Sequence, residues 1–496
     1  MHPPSLSVEP APALSSSHPR GLYVLFFTEM WERFSYYGMR ALLVLFMVKA
    51  IQQGGMGLSD RTATAIYGLY TATAYLAALP GGWIADRFLG AQRAVWYGGI
   101  IIACGHFTLA VPRPEFFYLG LLLVIIGTGL LKPNVSAIVG DLYPEGGARR
   151  DAGFTVFYMG INLGAALGPL VCSWLGEKVN WHYGFAAAGV GMVLGLVQYR
   201  LSVRHLGDAG RLPGHQEGVR ARDRWLLGSL LSAIGLLLTL MFTGTLRVDA
   251  AAVAKVATQV IVAVTLLYFI CVFLFFNLAP LEKKYVTVIV VLFLASAMFW
   301  SGFEQAGSSL NLFAERYTQR VFLGWTLPAG WFQSLEASFV IVLAPVVAAA
   351  WLALNRRGVN PSVPVKFAWG LVLLGLGFLV MAGASLLLVG GHKAWPTWLV
   401  STYLLHAFAE LCLSPVGLSS VTKLAPRRLV GQMMGTWFLA TSLGNLIAGQ
   451  IAGTFSADNL GQMPRQYLQI VLTTAGTGVV LWLFAKPIKR LMAGVD

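Results

Sequence analysis

The chain is poor in charge: of 496 residues only 11% are Asp, Glu, Lys or Arg, against 57% hydrophobic. A soluble domain carries about 25% charged residues, so water is not the solvent of most of this surface. One very large soluble core is excluded too, because apolar runs of about 20 residues recur along the whole sequence. Cysteine is scarce. The four, Cys104, Cys172, Cys271 and Cys412, lie inside apolar segments and make no CxxC pair. Neither a disulfide framework nor a metal site is indicated. Acid is scarcer than base, 21 Asp and Glu against 35 Lys and Arg, for a net charge of +14. In a soluble protein that balance would point to nucleic acid. In a membrane protein loop Lys and Arg set topology instead, so no nucleic-acid partner is expected. Catalytic signatures are missing as well: there is no HExxH, GxSxG or nucleotide-binding loop. His106 and His406 stand alone in their segments. An enzyme is not expected.

What is there is a series of apolar segments, at roughly 22–50, 62–85, 92–111, 115–140, 152–177, 183–203, 224–245, 255–279, 286–314, 331–354, 365–389, 396–423, 430–456 and 466–486. Lipid satisfies no backbone hydrogen bonds and no barrel alternation is visible, so all are read as helices. The fold class is all-α integral membrane, with about 14 transmembrane helices. With the N-terminus inside, about 22 Lys and Arg fall on the cytoplasmic side and about 9 on the other, as the positive-inside rule demands. Both termini are then cytoplasmic. Residues 1–20 are polar, rich in Pro and Ser, and lack a signal-peptide pattern; they read as a disordered cytoplasmic tail. A first six-helix unit spans 21–203. The basic stretch 204–223 is either a linker or an ordinary cytoplasmic loop. Two additional helices occupy 224–280, a second six-helix unit 281–490, and a short tail 491–496.

The most informative residues are the ionisable ones inside apolar segments. The first segment reads FFTEMWERFSYYGMRALLVLF and carries Glu29, Glu32, Arg33 and Arg40. Lys132, Glu304 and Glu410 lie within later segments. A central charge costs about 2.5–3.5 kcal/mol to insert, so seven unpaired, lipid-facing ones would cost roughly 17–25 kcal/mol. They must face a watery cavity, pair with one another or change protonation. Glu29, Glu32, Arg33, Tyr36, Tyr37 and Arg40 step by three and four and share one helical stripe. Trp300, Glu304 and Asn311 are placed on one stripe of segment 286–314, Glu410 and Ser414 on one stripe of segment 396–423. For Glu32–Arg33 a local salt bridge is a competing reading, and for Lys132 snorkelling towards the cytoplasm.

These residues resemble a known family. Glu29, Glu32, Arg33, Phe34, Tyr36 and Tyr37 match the ExxERFxYY motif of the proton-dependent oligopeptide transporter family, within the major facilitator superfamily. FYMGINLG, from Phe157 to Gly164, is similar to its second signature, FYxxINxG. GGWIADRFLG, LLKPNVSAIVGDLY, AELCLSPVGLSSVTKLAP and WFLATSLGN extend the resemblance over roughly 21–490. The central helix pair resembles that of bacterial members.

The resemblance implies a major facilitator fold, two six-helix bundles plus two extra central helices, alternating access around a central site. It implies uptake of di- and tripeptides with protons as the coupling ion, no cofactor and no metal. The setting would be a bacterial inner membrane, with a functional monomer among lipids. A runner-up is a relative that carries nitrate or a drug-like compound. Residue by residue, Arg33 and Lys132 resemble the groups facing the peptide carboxylate, Glu410 the acid for its amino terminus, and Asn162 a backbone partner. Tyr36, Tyr37, Tyr70, Trp300, Ser414 and Trp437 resemble pocket-lining positions. Glu29, Glu32 and Glu304 resemble proton carriers, and Arg40 with Glu304 a gating salt bridge between bundles.

Two departures stand out. Gly68 occupies a position where animal members carry histidine, so a histidine proton site is absent. FQSLEA puts Glu336 where asparagine is expected, and Ala337 where proline is. That added acid has three readings: it strengthens ammonium binding, it shifts proton stoichiometry, or it lies near solvent at a helix end.

Overall fold

A computed structural model describes residues 17–144, 147–212, 221–243, 249–455 and 460–494. The expected tails and the 204–223 linker therefore fall partly outside the described residues. Seventeen α-helices run through them: α1 Arg20–Val48, α2 Asp60–Leu76, α3 Ala78–Ile84, α4 Ala91–Leu109, α5 Pro114–Asp141, α6 Gly147–Lys178, α7 Trp181–Ser202, α8 Ala221–Phe242, α9 Ala250–Phe275, α10 Pro280–Phe303, α11 Ser309–Tyr317, α12 Gln333–Arg356, α13 Val363–Val389, α14 Pro396–Leu424, α15 Val430–Ala452, α16 Met463–Leu483 and α17 Ala485–Leu491. Each of the fourteen apolar segments coincides with one helix or with a broken pair. Nine stretches among the described residues are long and apolar enough to cross a bilayer. α1 has the length but carries Glu29, Glu32, Arg33 and Arg40, all buried. Outward faces are apolar, with Val190, Leu194 and Leu201 on α7, and Leu266, Ile270 and Leu274 on α9, exposed. Such a surface suits hydrocarbon.

α1 packs along α6 and α7, α4 along α5 and α7, forming the first bundle with α2 and α3. The second is built from α10, α12, α13, α14, α15 and α16, with α13 central to α14 and α16. The bundles meet where α2 lies on α15 and α6 on α12, and α9 rests beside both α2 and α15. In the 204–223 stretch the described residues 204–212 are docked on the first bundle: Gln92 N–H donates to Gly210 O at 3.1 Å, and Gly210 N–H to Asp141 Oδ2 at 3.0 Å.

Small residues set the closest crossings. Gly160, Gly164 and Gly168, four apart on α6, face the backbone carbonyls of Phe26, Met30 and Phe34 on α1, also four apart. Any side chain there would strike main chain. With no hydrophobic force between helices in lipid, such backbone approach is what holds them. It fixes the rotation of α1, and so the direction of its charged stripe. Gly68 plays the same part between bundles: a Cβ would lie 3.0 Å from Asn445 O and 3.1 Å from Gly449 Cα. There is no room for a histidine.

One expected helix is broken. Segment 286–314 is α10 and α11 separated by a 3-10 turn at Glu304–Gly307, with Ser308 at φ −125 and ψ −96. The single stripe of Trp300, Glu304 and Asn311 is thereby corrected: the turn resets the register after Glu304. Asn311 instead donates from Nδ2 to Ala41 O on α1 at 2.8 Å. Broken helices at membrane depth persist where protein satisfies the freed groups. Gln305 does so from Nε2, to Ser301 O at 3.2 Å and Ala448 O at 3.1 Å.

Candidate functional site

The α1 stripe turns inward because the opposite face is committed to α6. Arg33 is its hub. Its Nη2 donates to Glu32 Oε1 at 2.7 Å, its Nε bonds Glu32 Oε2, and Nε lies 3.2 Å from Glu29 Oε1. The local Glu32–Arg33 bridge therefore exists, inside a larger cluster. Two carboxylates on one guanidinium leave a surplus negative charge. Lys132, from α5, stands within electrostatic reach of Glu29, Glu32 and Arg33 and brings the sum to zero. Its Nζ lies over the Tyr75 ring, 3.9 Å from the centroid, so it points into the protein. Arg33 also faces the rings of Tyr36 at 5.0 Å and Tyr37 at 6.0 Å. Tyr36 stacks on Tyr70 at 6.1 Å.

Two turns along the stripe from Arg33, Arg40 reaches across to the other bundle. Its Nη1 lies 3.4 Å from Glu304 Oε2, with both side chains buried to about 95%. Tyr67 donates its hydroxyl to the same oxygen at 3.3 Å. The 3-10 turn is what presents Glu304 to α1. Nearby pairs close the same end of the molecule, where α1 finishes and α2 begins. Arg316 grips Asp60 through two bonds of 2.6 and 2.7 Å, and Lys49 lies 3.4 Å from Glu315. Glu177, at the end of α6, accepts the N–H groups of Ala329 and Gly330 at 2.7 and 2.9 Å, with Arg320 at 3.6 Å.

Behind this closure lies a cavity of about 70 Å³ between the bundles. Tyr37 and Arg40 of α1, Tyr75 of α2, and Tyr158 and Asn162 of α6 form one wall. Trp300 and Glu304, Gln333 and Glu336 of α12, and Glu410 of α14 form the other. Of the residues singled out in the sequence, Tyr37, Arg40, Asn162, Trp300, Glu304 and Glu410 thus share one hollow. Glu29, Glu32, Arg33 and Lys132 form the charged cluster beside it, joined through Tyr75 and Tyr37. Ser414 lies one turn beyond Glu410, its buried Oγ without a hydrogen-bond partner among the described residues. Trp437 on α15 is buried against the ring of Phe367, 6.3 Å away.

Several residues of this arrangement carry no role in the sequence reading. Tyr158 donates its hydroxyl to Glu410 Oε1 at 3.1 Å, from α6 to α14. It opens the FYMGINLG motif beside Phe157, which is the signal that could have found it. Tyr75, Gln333, Asp60, Glu177 and Arg316 carried no comparable signal, because loop and helix-end polar residues are ordinary. Glu336 is not at a solvent-bathed helix end: it lines the cavity together with Glu410.

Comparison with known proteins bears on this arrangement. A sequence model described as PTR2, POT family, matches residues 92–465. The chain is 42% identical over 488 residues to the peptide transporter YePEPT of Yersinia enterocolitica, covering 96% of this chain and 95% of that protein. It is 36% identical over 494 residues to a di-/tripeptide transporter of Lactococcus lactis subsp. cremoris, covering 96% and 97%. Among solved structures it is similar to a mutant of the peptide transporter POT crystallised with alafosfalin. That likeness has a TM-score of 0.88 and 40% identity, and covers 97% of each chain.

Proposed function

The chain belongs to the POT family of transporters, and we propose from that premise and from its cavity that it imports di- and tripeptides together with protons by alternating access. One observation carries the reading: the hollow between the bundles has tyrosines from α1, α2 and α6 on one wall, with the Arg33 and Lys132 cluster beside it, and carboxyl groups from α12 and α14 on the other. A short peptide of any sequence offers an ammonium at one end and a carboxylate at the other, so opposed charges on opposed bundles clamp its constant features. Variable side chains then meet aromatic walls, which tolerate variety.

In this cycle Glu410 receives the amino terminus, Asn162 the peptide backbone, and Arg33 with Lys132 the carboxylate. Tyr36, Tyr37, Tyr70, Trp300, Ser414 and Trp437 shape the pocket. Arg40–Glu304 latches the extracellular end while the peptide leaves on the cytoplasmic side. Glu29, Glu32 and Glu304 carry the proton: a carboxylate bonded to Arg33 or Arg40 gives up that cation when protonated, which frees it for the peptide. Substrate and proton are thereby coupled without a cofactor. The chain sits in a bacterial inner membrane, both termini cytoplasmic, and works as a monomer. The expected division into 21–203, 224–280 and 281–490 supplies two rocking bundles and a helix pair beside their seam.

The test is uptake of labelled dialanine into liposomes holding the purified chain, driven by an inward proton gradient. Accumulation above equilibrium is expected. No accumulation of dialanine, while nitrate enters, would overturn the proposal.

A further inference from the structure

Glu336 is an acid that the cycle above leaves unused. It lies in the first turn of α12, three residues after Gln333, and both line the cavity. Glu410 on α14 lines the same hollow, and the two carboxyl groups are within electrostatic reach of each other. Two carboxylates confined to one small hollow repel each other when both are ionised, so the pair is more stable when one of them holds a proton. The groups around the pair are consistent with that. Tyr158 of α6 donates to Glu410, and Tyr403 of α14 and Tyr37 of α1 stand near. Glu304 adds a further carboxyl group. Arg40 is the cation within reach, and it is already paired with Glu304 at 3.4 Å. A shared proton is therefore the neutraliser at hand. Independently, Gln333 is 91% buried, and its Nε2 has no hydrogen-bond partner among the described residues although the side chain lines this hollow. That is a donor placed for an acceptor on a ligand, beside the acid pair.

We infer that Glu336 is a further substrate-facing residue. With Glu410 it forms a proton-sharing pair that meets the peptide's amino terminus as one negative charge and carries an additional proton with each peptide. The inference rests on the peptide reading above. The charge balances: a pair holding one proton has the single negative charge that Glu410 would have alone, which matches one ammonium. The difference is the proton itself. It enters from water on the side where peptide enters and leaves to water on the other, with no covalent change.

Two measurements test this. The first is the proton-to-peptide ratio in proteoliposomes, from the pH gradient that just halts dialanine flux against a known dialanine gradient. That ratio does not depend on transport rate. Glu336→Gln keeps the shape and an amide donor towards Glu410 but cannot titrate, so its ratio is expected to fall by about one proton per peptide. Glu336→Ala should show the same lowered ratio, whatever its rate. An unchanged ratio in Glu336→Gln would overturn the inference. The second measurement needs no peptide: the infrared C=O stretch of a protonated carboxyl group, at neutral pH, in the unaltered chain and in Glu336→Gln. Loss of one such band in the variant is expected, and identical spectra would sink the shared proton. Failure of the unaltered chain to move dialanine at all would instead refute the functional reading, and with it the substrate half of this one.

Discussion

Replacing Glu304 by glutamine removes one partner of an ion pair that bridges the bundles. Both side chains are about 95% buried, so Arg40 would be left charged in a place it cannot easily rehydrate. The Tyr37 and Tyr67 rings lie 5.2 and 6.0 Å from it, and Glu336 of the same hollow is within electrostatic reach without an ion pair to it. Breaking a buried pair in this way costs about 3–5 kcal/mol. At 1.4 kcal/mol per decade that shifts a closed–open equilibrium by roughly two to three and a half powers of ten. Two of the other latches offset little of it. Lys49 and Glu315 are 35% and 26% exposed, Arg316 and Asp60 24% and 19%, and pairs that reach solvent contribute about 0–1 kcal/mol each. Spin labels at Val179→Cys and Val321→Cys, in a chain freed of its four cysteines, report the distance across that end; both positions are exposed. The variant is expected to show a longer, broader distribution. Gradient-driven dialanine accumulation should fall at least about tenfold, while counterflow exchange stays more nearly intact. An unchanged distribution together with full accumulation would refute the claim that this pair holds the end shut.

Other expectations follow from the same geometry. Glu32→Gln and Lys132→Ala each unbalance a cluster whose charges sum to zero, and both should abolish proton-driven uptake; full accumulation by Glu32→Gln would remove the α1 cluster from the coupling path. Tyr158→Phe deletes a hydrogen bond to a carboxyl group, a loss of about 1.5–3 kcal/mol if that group is charged. Dialanine affinity, measured by equilibrium binding, should weaken about tenfold to a hundredfold. Gly164→Val places a side chain against the Met30 carbonyl. Overpacking of that kind costs about 1–3 kcal/mol, so the purified variant should melt at a lower temperature than Ser414→Ala, which alters no helix crossing.

Much of this molecule is legible in one dimension because lipid is an exacting solvent. Runs of about 20 apolar residues must be helices, and the fourteen segments find their helices. The intramembrane charges were equally visible, since nothing else explains seven of them. Their grouping was less so. Periodicity put Asn311 with Glu304, but a 3-10 turn intervenes, and a turn at membrane depth leaves no mark when its own Gln305 meets the freed groups and reaches Ala448 on a distant helix. Latches such as Asp60–Arg316 stayed invisible because charges at helix ends are ordinary.

Composition and spacing alone therefore determined the solvent, the helices, and which side chains had to be sheltered from hydrocarbon. Those are local properties, decided by transfer energy and by the 3.6-residue repeat. Which shelter each charge finds is a relation between segments far apart in the chain: Arg40 with Glu304, Tyr158 with Glu410, and Glu336 in the hollow where a solvent-facing helix end was one expectation. Only tertiary packing decides such relations, because they depend on how α1 is rotated against α6 by three glycines and how α2 is seated on α15 at Gly68.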